Sequence, residues 1–270
     1  GGIGGAVYVD NVSNDPNALH QLSVTGCTFT ANDANDHAGA LFGYTNPAAP
    51  STSIIDRCTF TSNVINLGSG HSGAVYSQGG TLTLSNSTLA LNQARGSGGG
   101  IFVNNASALI ANCTFQGNAA LANLGGGVFA PSGHLTLVNV TMAQNSAGDF
   151  AGGLFSAAGS TSVQNCIFSG NTALANAFAG DQVNASFAGG ANVQAPASGT
   201  GAKPASASGT TMVASALLGP LQNNGGPTPT MRPQAGSAAI NLAGVTGAPQ
   251  VDQRGSPRIG EPDAGACEGP

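Results

Sequence analysis

Two stretches, Gly98-Gly-Gly-Ile-Phe102 and Asn112-Cys-Thr-Phe-Gln-Gly-Asn118, form the clearest copy of a unit that this chain repeats six times. The copies align on the small residue in the second position of the second stretch, which we call the anchor. Subtracting successive anchor positions gives spacings of 31, 29, 26, 27 and 26 residues. Repetition at about 20 to 50 residues is typical of solenoids, propellers and repeat arrays. The anchors are Cys27, Cys58, Ser87, Cys113, Val140 and Cys166.

The content of the repeat favours a β-solenoid. Each copy is rich in Thr, Val, Phe, Gly and Asn, and it alternates apolar and polar residues over runs such as 81–84 without any helical periodicity. A propeller blade usually needs more residues than this repeat has and carries aromatic signatures, whereas the chain has no Trp. Two or three short strands per copy, joined by Gly and Asn corners, predict an all-β fold. We expect a single right-handed parallel β-helix of about six to eight coils with an irregular C-terminal segment.

Stacked coils place equivalent residues in ladders about 4.8 Å apart. We expect the anchors and a large apolar ladder to point inward as the core. An asparagine ladder is expected at a corner, where Asn tolerates left-handed backbone and its amide can bond to the amides above and below. Paired glycines would allow a bend that a Cβ would obstruct. The apolar ladder is Phe29, Phe60, Leu89, Phe115, Met142 and Phe168. The asparagine ladder is Asn32, Asn63, Asn92, Asn118, Asn145 and Asn171.

Composition limits the location and partners of the chain. With 11 acidic and 6 basic residues and a net charge of −5, nucleic acid is not an expected partner. No apolar run reaches the length of about 18 residues that a membrane span needs, so we expect no transmembrane segment. Scarce Lys with many Asn and Thr residues favours a secreted bacterial protein, extracellular or at the cell surface. The chain opens in mid-repeat, as a processed mature protein would.

The rhythm divides the chain into three parts. Residues 1–178 are expected to form the β-helix coils, and residues 179–210 an irregular coil followed by a Gly/Ala/Ser-rich loop, with 195–208 as the flexible part. Residues 211–270 differ in kind and are expected to pack on the helix. Insertions at 10–19 and 44–51 make the first two coils the expected place for any function.

The C-terminal motifs resemble a known family. These motifs are 217–221 (LLGPL), 223–230 (NNGGPTPT), 235–240 (AGSAAI), 252–255 (DQRG) and 263–268 (DAGACE). In this order they resemble the choice-of-anchor Q domain proteins, secreted bacterial β-helix proteins whose repeats are similar to those of polymorphic outer-membrane proteins. The resemblance covers essentially the whole chain and implies export to the cell surface, a sorting tag after the domain and no established catalytic residues. This sequence departs from the pattern by stopping at Pro270 without an anchor, so either a tag was removed or the protein is held outside the cell in another way. In this tail Arg254 is expected to pair with Asp252 or Asp263.

The acids give no evidence for catalysis. Polysaccharide-cleaving β-helices need carboxylates that converge, either as an acid and base pair or as calcium ligands, and none of the eleven acids recurs in register in adjacent coils. We therefore assign no catalytic residue and expect no cofactor. The one dense cluster, Asp33, Asp36 and His37, could bind a cation such as calcium weakly, although solvated corner residues are the alternative. The other histidines are expected at unrelated positions.

Two further ladders leave alternatives open. An outward threonine row at strand spacing is what an ice-binding solenoid would present, although Thr is also simply a good strand residue. Cys27 and Cys58 fall in adjacent coils, so a disulfide is the alternative to free thiols packed as core residues. The threonine row is Thr28, Thr59, Thr88, Thr114 and Thr141.

These features favour a non-catalytic structural or adhesive protein of the cell surface or the biofilm matrix. The first coil carries no polar cap, which favours end-to-end stacking of copies into filaments. Extracellular polysaccharide is the second expected partner. The alternative is a polysaccharide-degrading lyase or glycosidase, because one fold hosts both roles. Ice binding is a lesser alternative.

Overall fold

The chain winds through six successive coils, each built from four short strands that pair in parallel with the equivalent strands of the next coil. The structure is a computed structural model that describes residues 2–11, 20–45, 51–174, 182–196, 209–244 and 247–270. The all-β solenoid expected from the repeat is confirmed. The expectation of two or three strands per coil was wrong, because a strand of only two residues follows each Asn corner.

The strands are short, and their bounds repeat from coil to coil. Coils one to three contain β1 (Val7–Asn11), β2 (His20–Thr25), β3 (Thr28–Thr30), β4 (Asp33–Ala34), β5 (Leu41–Thr45), β6 (Ser51–Asp56), β7 (Thr59–Thr61), β8 (Val64–Ile65), β9 (Val75–Gln78), β10 (Thr81–Ser85), β11 (Thr88–Ala90) and β12 (Gln93–Ala94). Coils four to six contain β13 (Ile101–Asn104), β14 (Ala106–Ala111), β15 (Thr114–Gln116), β16 (Ala119–Ala120), β17 (Val128–Ala130), β18 (Gly133–Val138), β19 (Thr141–Ala143), β20 (Ser146–Ala147), β21 (Leu154–Ser156), β22 (Ser160–Gln164), β23 (Ile167–Ser169) and β24 (Thr172–Ala173). A partial seventh coil and one further strand follow as β25 (Ala188–Gly190), β26 (Asn192–Ala195) and β27 (Thr210–Met212).

Equivalent strands form four parallel sheets along the coil axis. Sheets A, B, C and D begin with β1, β2, β3 and β4 and contain six, seven, eight and six strands. The register follows the sequence alignment, so that Thr88 pairs with Thr59 on one side and with Thr114 on the other. The seventh coil joins sheet A through a bridge between Val183 and Leu154. Residues about one repeat apart are therefore stacked directly above one another, as the spacing predicts.

The core lies inside the coils and is made by the two expected ladders. Phe60, Phe115 and Phe168 are at most 1% exposed, and the Phe29 ring stacks on Phe60 with 4.7 Å between centroids. The anchor residues Cys58 and Cys113 share this interior. The inward ladders thus form one continuous hydrophobic column, which is the main stabilising feature of a fold without a layered core.

The asparagine ladder is hydrogen-bonded from coil to coil, and it is buried from Asn63 onward. Asn118 donates from Nδ2 to Oδ1 of Asn145 at 2.9 Å and to the carbonyl of Leu89 at 2.8 Å, while its own Oδ1 accepts from Nδ2 of Asn92 at 2.9 Å. The same pattern runs from Asn32 to Asn171, whose amide donates to Gln182 Oε1 at 2.7 Å. The predicted amide ladder is confirmed.

The predicted left-handed backbone lies one residue earlier than expected. The residue before each ladder asparagine has the positive φ, for example Leu91 at 56° and Gln144 at 57°. The asparagine therefore closes the corner with its side chain, because the amide fixes the turn by bonding to the neighbouring coils. The backbone reversal itself falls on whichever residue precedes it.

Glycines stand where neighbouring coils approach most closely, at the corner that leads into sheet A. A Cβ on Gly99 would lie 2.4 Å from the carbonyl oxygen of Gly126, and one on Gly73 would lie 2.3 Å from that of Gly99. Real Cβ atoms do not approach an oxygen this closely. The expected reason for the paired glycines is therefore confirmed.

An aromatic ladder runs along the outside of sheet A. Phe42, Tyr76, Phe102 and Phe129 stack with centroid distances of 4.7–5.0 Å, and each is at most 8% exposed. The ladder is a second, smaller hydrophobic cluster that packs outside the solenoid wall. Such stacked rings add packing energy of about 0.5–1.5 kcal/mol per pair beyond their burial.

The C-terminal segment, residues 213–270, packs along the side of the solenoid over sheet C. It buries Ala216, Ala239 and Ala264 against Ile167 and Val193. Asn139 Nδ2 donates to the carbonyls of Asp263 and Gly265 at 3.1 and 3.2 Å. The segment thus reaches from coil seven back to coil three and covers most of one wall.

Some sequence predictions fall outside the described residues. The insertion tips at 12–19 and 46–50, the 178/179 domain boundary and most of the loop at 195–208 are among them.

Candidate functional site

An open cleft lies where the C-terminal segment stops covering the solenoid, beside the corners of coils two and three. Its volume is about 570 Å³. The solenoid supplies Asp56, Arg57 and Asn86, and the opposite wall comes from the C-terminal segment. That wall consists of Pro227, Val251, Gln253, Arg254 and Gly255.

The charged side chains of the cleft are held by internal bonds. Asp56 accepts from Arg57 Nε at 2.7 Å, Ser85 Oγ at 2.8 Å and Asn86 Nδ2 at 2.8 Å. Across the cleft Arg254 pairs with Asp252 at 2.6 Å, which decides between the two partners that the sequence left open. The arginine is 10% exposed and the aspartate is completely buried, so this pair fixes the wall in place.

The cleft does not bring two carboxylates together. In the described part of the chain Asp56 is the one acid among the lining residues, and its oxygens already accept three hydrogen bonds. A glycosidase pair needs two carboxyl groups separated by about 5–9.5 Å on either side of the scissile bond. The described lining of this cleft therefore offers one carboxylate and the partly exposed guanidinium of Arg57.

The structure does not bring the side chains of Asp33, Asp36 and His37 together into one cluster. Asp33 is bonded to the Asn66 amide in the next coil, while His37 Nε2 lies 3.7 Å from Asp36 Oδ1. Across the ranges that the structure describes, no three His, Cys, Asp or Glu side chains lie close enough to hold a metal ion. The sequence neighbours are separated because the short strand β4 turns the Asp33 side chain toward the next coil.

The structure brings together two histidines that the sequence analysis treated as unrelated. The rings of His37 and His71 stack with centroids 5.6 Å apart, and His71 also packs on Phe102 at 4.9 Å. Each Nδ1 accepts a backbone N–H from the next coil, from His71 at 3.3 Å and from Ser97 at 3.0 Å. Burial lowers the pKa of His71, and the His37 charge adds to this effect. Both residues stand two positions before the glycine at Gly39 and Gly73, a signal that could have revealed the pair.

The threonine row is not a free surface. Thr88, Thr114 and Thr141 are completely buried beneath the C-terminal segment, although Thr28 and Thr59 are not. Gln253 donates from Nε2 to Thr88 Oγ1 at 2.8 Å and accepts at Oε1 from Thr114 Oγ1 at 2.7 Å. The row is stacked in register as predicted, but protein groups cover three of its five threonines, so those three are not exposed as an ice-binding face would require.

The five cysteines are free thiols. Cys58, Cys113 and Cys166 pack in the core, and Cys27 is exposed in the first coil. The alternative of a disulfide between Cys27 and Cys58 is therefore not realised. Burial raises the pKa of Cys113 and of Cys166 to about 12 each, so these thiols are not nucleophiles.

The described ranges contain no helix that is long and apolar enough to cross a membrane.

Comparison with known proteins identifies the family of the chain. No curated protein and no solved structure matches the chain significantly. A family model described as a right-handed beta helix region matches residues 5–193, well over half of the sequence. The match begins in coil one and ends in β26 of the seventh coil, which are the stacked coils described above. The chain therefore belongs to the family of right-handed β-helix regions.

Proposed function

We propose that this chain is a non-catalytic extracellular β-helix that serves as a structural or adhesive component of the cell surface or the biofilm matrix. The observation that carries the proposal is the state of the charged groups at the cleft beside coils two and three. Two of the lining residues, Asp56 and Arg254, are engaged in bonds that hold the protein together, and the partner of Arg254 is the buried Asp252. Among the described residues that line the cleft, Asp56 has no second carboxylate beside it to complete an acid and base pair.

The C-terminal motifs support the location. Their resemblance to choice-of-anchor Q domain proteins implies export, and a wall of buried hydrogen-bonded ladders suits a protein that must persist outside the cell. We expect antibodies against the purified chain to label the cell surface or the matrix of the producing organism. Labelling confined to the cytoplasm would contradict the location.

A test of catalysis uses the purified chain and a panel of uronate-containing, sulfated and neutral polysaccharides. We expect no new reducing ends and no unsaturated products in any of them. Turnover that Asp56→Asn abolishes would overturn the non-catalytic proposal. Asp33→Asn, a change of an exposed carboxylate outside the cleft, is the matched control.

A polysaccharide-degrading enzyme is the second candidate, and one observation favours it. The cleft places a carboxylate, Asp56, beside two guanidinium groups, those of Arg57 and Arg254, in a groove that is open to solvent. The same polysaccharide panel distinguishes the two candidates, because the enzyme produces new chain ends and the adhesive protein only binds.

End-to-end association of copies is part of the structural proposal. Val7, Leu22, Val24 and Phe29 in coil one are only partly buried, whereas their counterparts in later coils are fully buried. A second copy stacked on this coil would cover them and extend the parallel sheets. Light scattering over a concentration series should show growing assemblies, and Phe29→Asp should abolish them. A concentration-independent monomer would contradict this part of the proposal.

A further inference from the structure

The residue that precedes each anchor differs in type in coil two, which borders the cleft. The residue before each anchor has a positive φ, and in coils three to six it is an asparagine. Asparagine and glycine suit this left-handed backbone, and Gly26 occupies the same position in coil one. Coil two instead has Arg57, with φ of 52°. A long side chain is thus held at a corner that smaller residues fit better.

The asparagines of this ladder dock the C-terminal segment. Asn112 Nδ2 donates to the carbonyl of Val251 at 2.8 Å, and Asn165 Nδ2 donates to that of Gly244 at 3.2 Å. In coil three the backbone oxygen of Asn86 accepts from Thr228 Oγ1 at 2.9 Å. Arg57 is the equivalent residue in coil two, which the C-terminal segment does not cover.

The Arg57 guanidinium has donors to spare. Its side chain is 54% exposed, and within the ranges that the structure describes only Nε is bound, to Asp56. Asp56 receives two more donors from Ser85 and Asn86, so its charge is well compensated without the terminal nitrogens of the arginine. These two nitrogens form the planar fork that binds an oxyanion in two parallel hydrogen bonds.

The surroundings of Arg57 favour a sugar polymer as the carrier of that oxyanion. Asp56 ends strand β6, whose outward face continues with the exposed Ile54 and with Thr52, and these two residues pair with Thr83 and Thr81 of the next coil. Hydroxyl groups donate and accept hydrogen bonds, as sugar hydroxyls do. The cleft is open to solvent and, at about 570 Å³, has the size of ordinary ligand sites.

We propose that the cleft binds the oxyanion groups of an acidic polysaccharide, with Arg57 as the recognition residue. The oxyanion is a carboxylate of a uronic acid or a sulfate ester, since both present the same pair of oxygens. This inference rests on the proposed adhesive function, which supplies the extracellular setting, and it adds the partner and the residue that recognises it.

Binding of defined polymers tests the inference. Titration calorimetry would use polygalacturonate, dextran sulfate and unsubstituted dextran with the wild type, Arg57→Asn and Arg95→Asn. Arg57→Asn places at this corner the residue that coils three to six carry, so the variant should fold. Arg95→Asn removes the same charge at an exposed arginine that bonds to the Asn66 carbonyl on a different corner.

We expect the wild type to bind at least one anionic polymer and not dextran, with affinity that falls as salt rises. Arg57→Asn should weaken binding about tenfold or more, the cost of losing a charged hydrogen-bonded pair, while Arg95→Asn should bind like the wild type. Preference for polygalacturonate or for dextran sulfate identifies the oxyanion as carboxylate or sulfate. Failure of the wild type to bind either anionic polymer, equal binding of dextran, or equal losses in both variants would overturn the inference.

These outcomes separate the inference from the proposed function. Cleavage of a polymer together with loss of binding in Arg57→Asn would refute the non-catalytic function and leave the recognition site intact. Absence of both cleavage and binding would refute the site alone.

Discussion

The imidazole of His71 ties one coil to the next, since its Nδ1 accepts the N–H of Ser97 while the ring is held against Phe102. A proton on Nδ1 would place two donors face to face. Burial lowers the pKa of His71 below its ordinary value of 6.5, so the folded state favours the neutral ring. Its contribution to stability is therefore complete above pH 6.5 and is lost as the pH falls from 6.5 through the lowered folded-state pKa.

We expect the free energy of unfolding to decrease as the pH is lowered below 6.5 and His71→Gln to make this decrease smaller. Glutamine does not titrate, and its amide oxygen can still accept the Ser97 N–H. The measurement is urea unfolding at a series of pH values, with His134→Gln at an exposed histidine as the control. An unchanged pH dependence in His71→Gln would contradict this role.

The cysteines allow a second measurement on single side chains. Cys27 is exposed and the other four are buried, so one thiol of the five should react with N-ethylmaleimide in the native protein. All five should react in denaturant. Mass spectrometry counts the adducts, and Cys27→Ser should abolish native labelling. Rapid native labelling of Cys113 or Cys166 would show that the core opens readily.

At the scale of the structural element, the asparagine ladder stabilises each corner through a network of hydrogen bonds, in which each side-chain amide bonds to groups of the neighbouring coils. Removing one amide leaves donors and acceptors of both neighbouring coils without partners. Each unsatisfied buried group costs about 1–3 kcal/mol.

Asn118→Ala should therefore lower the free energy of unfolding by about 3–5 kcal/mol in urea unfolding, since at least two such groups lose their partners. Asn32→Ala, in the partly exposed first coil, is the matched control and should cost about 1 kcal/mol, because water can replace the lost bonds. Equal losses at both positions would show that the ladder does not act as a buried network.

Two glycine substitutions test how closely neighbouring coils approach each other. Gly99→Ala would push a methyl group to 2.4 Å from the Gly126 oxygen, and Gly190→Ala would meet nothing within 4 Å. The coils must separate to admit the first methyl group. Thermal unfolding should show a large decrease in melting temperature for Gly99→Ala and little change for Gly190→Ala. Similar melting temperatures for the two variants would indicate that the coils can move apart without loss of stability.

The elements differ in how far the sequence determines them. The register was predictable because Thr59, Thr88 and Thr114 each stand one position after the anchor of their repeat, so aligning the repeats also aligns the strands. The two-residue strands could not be recognised, since alternation needs more than two positions to show. The His37 and His71 pair could have been found from their shared distance to the glycine step, but the pattern does not show that the rings stack rather than point to solvent.

On the scale of the whole molecule, the decisive element is the C-terminal segment that covers sheet C. Gln253 lies at its centre, 1% exposed, and bonds to Thr88 and Thr114 of the solenoid and to Thr228 of its own segment. The packing of this segment on the solenoid was predicted, but the wall that it covers was not, because a threonine row has the same sequence whether water or protein covers it. One signal was present, since the row turns apolar at Ile167 and Val193, where alanines of the segment pack.

Gln253→Ala should release this segment, because it removes bonds to two coils at once. We expect earlier cleavage of the C-terminal segment in limited proteolysis and a lower free energy of unfolding by about 2–4 kcal/mol. Gln250→Ala, at an exposed residue of the same segment, should match the wild type. Unchanged proteolysis of Gln253→Ala would mean that the alanine contacts alone hold the segment.

The reach of that cover has a mechanical consequence. Solenoid coils ordinarily contact only their neighbours, so they can come apart one at a time. Coils three to seven share one bound segment and must yield together, whereas the described residues of coils one and two are joined to the rest by stacking alone. A force applied to the N-terminal end should therefore peel away two coils in small steps and then meet a single large resistance at coil three.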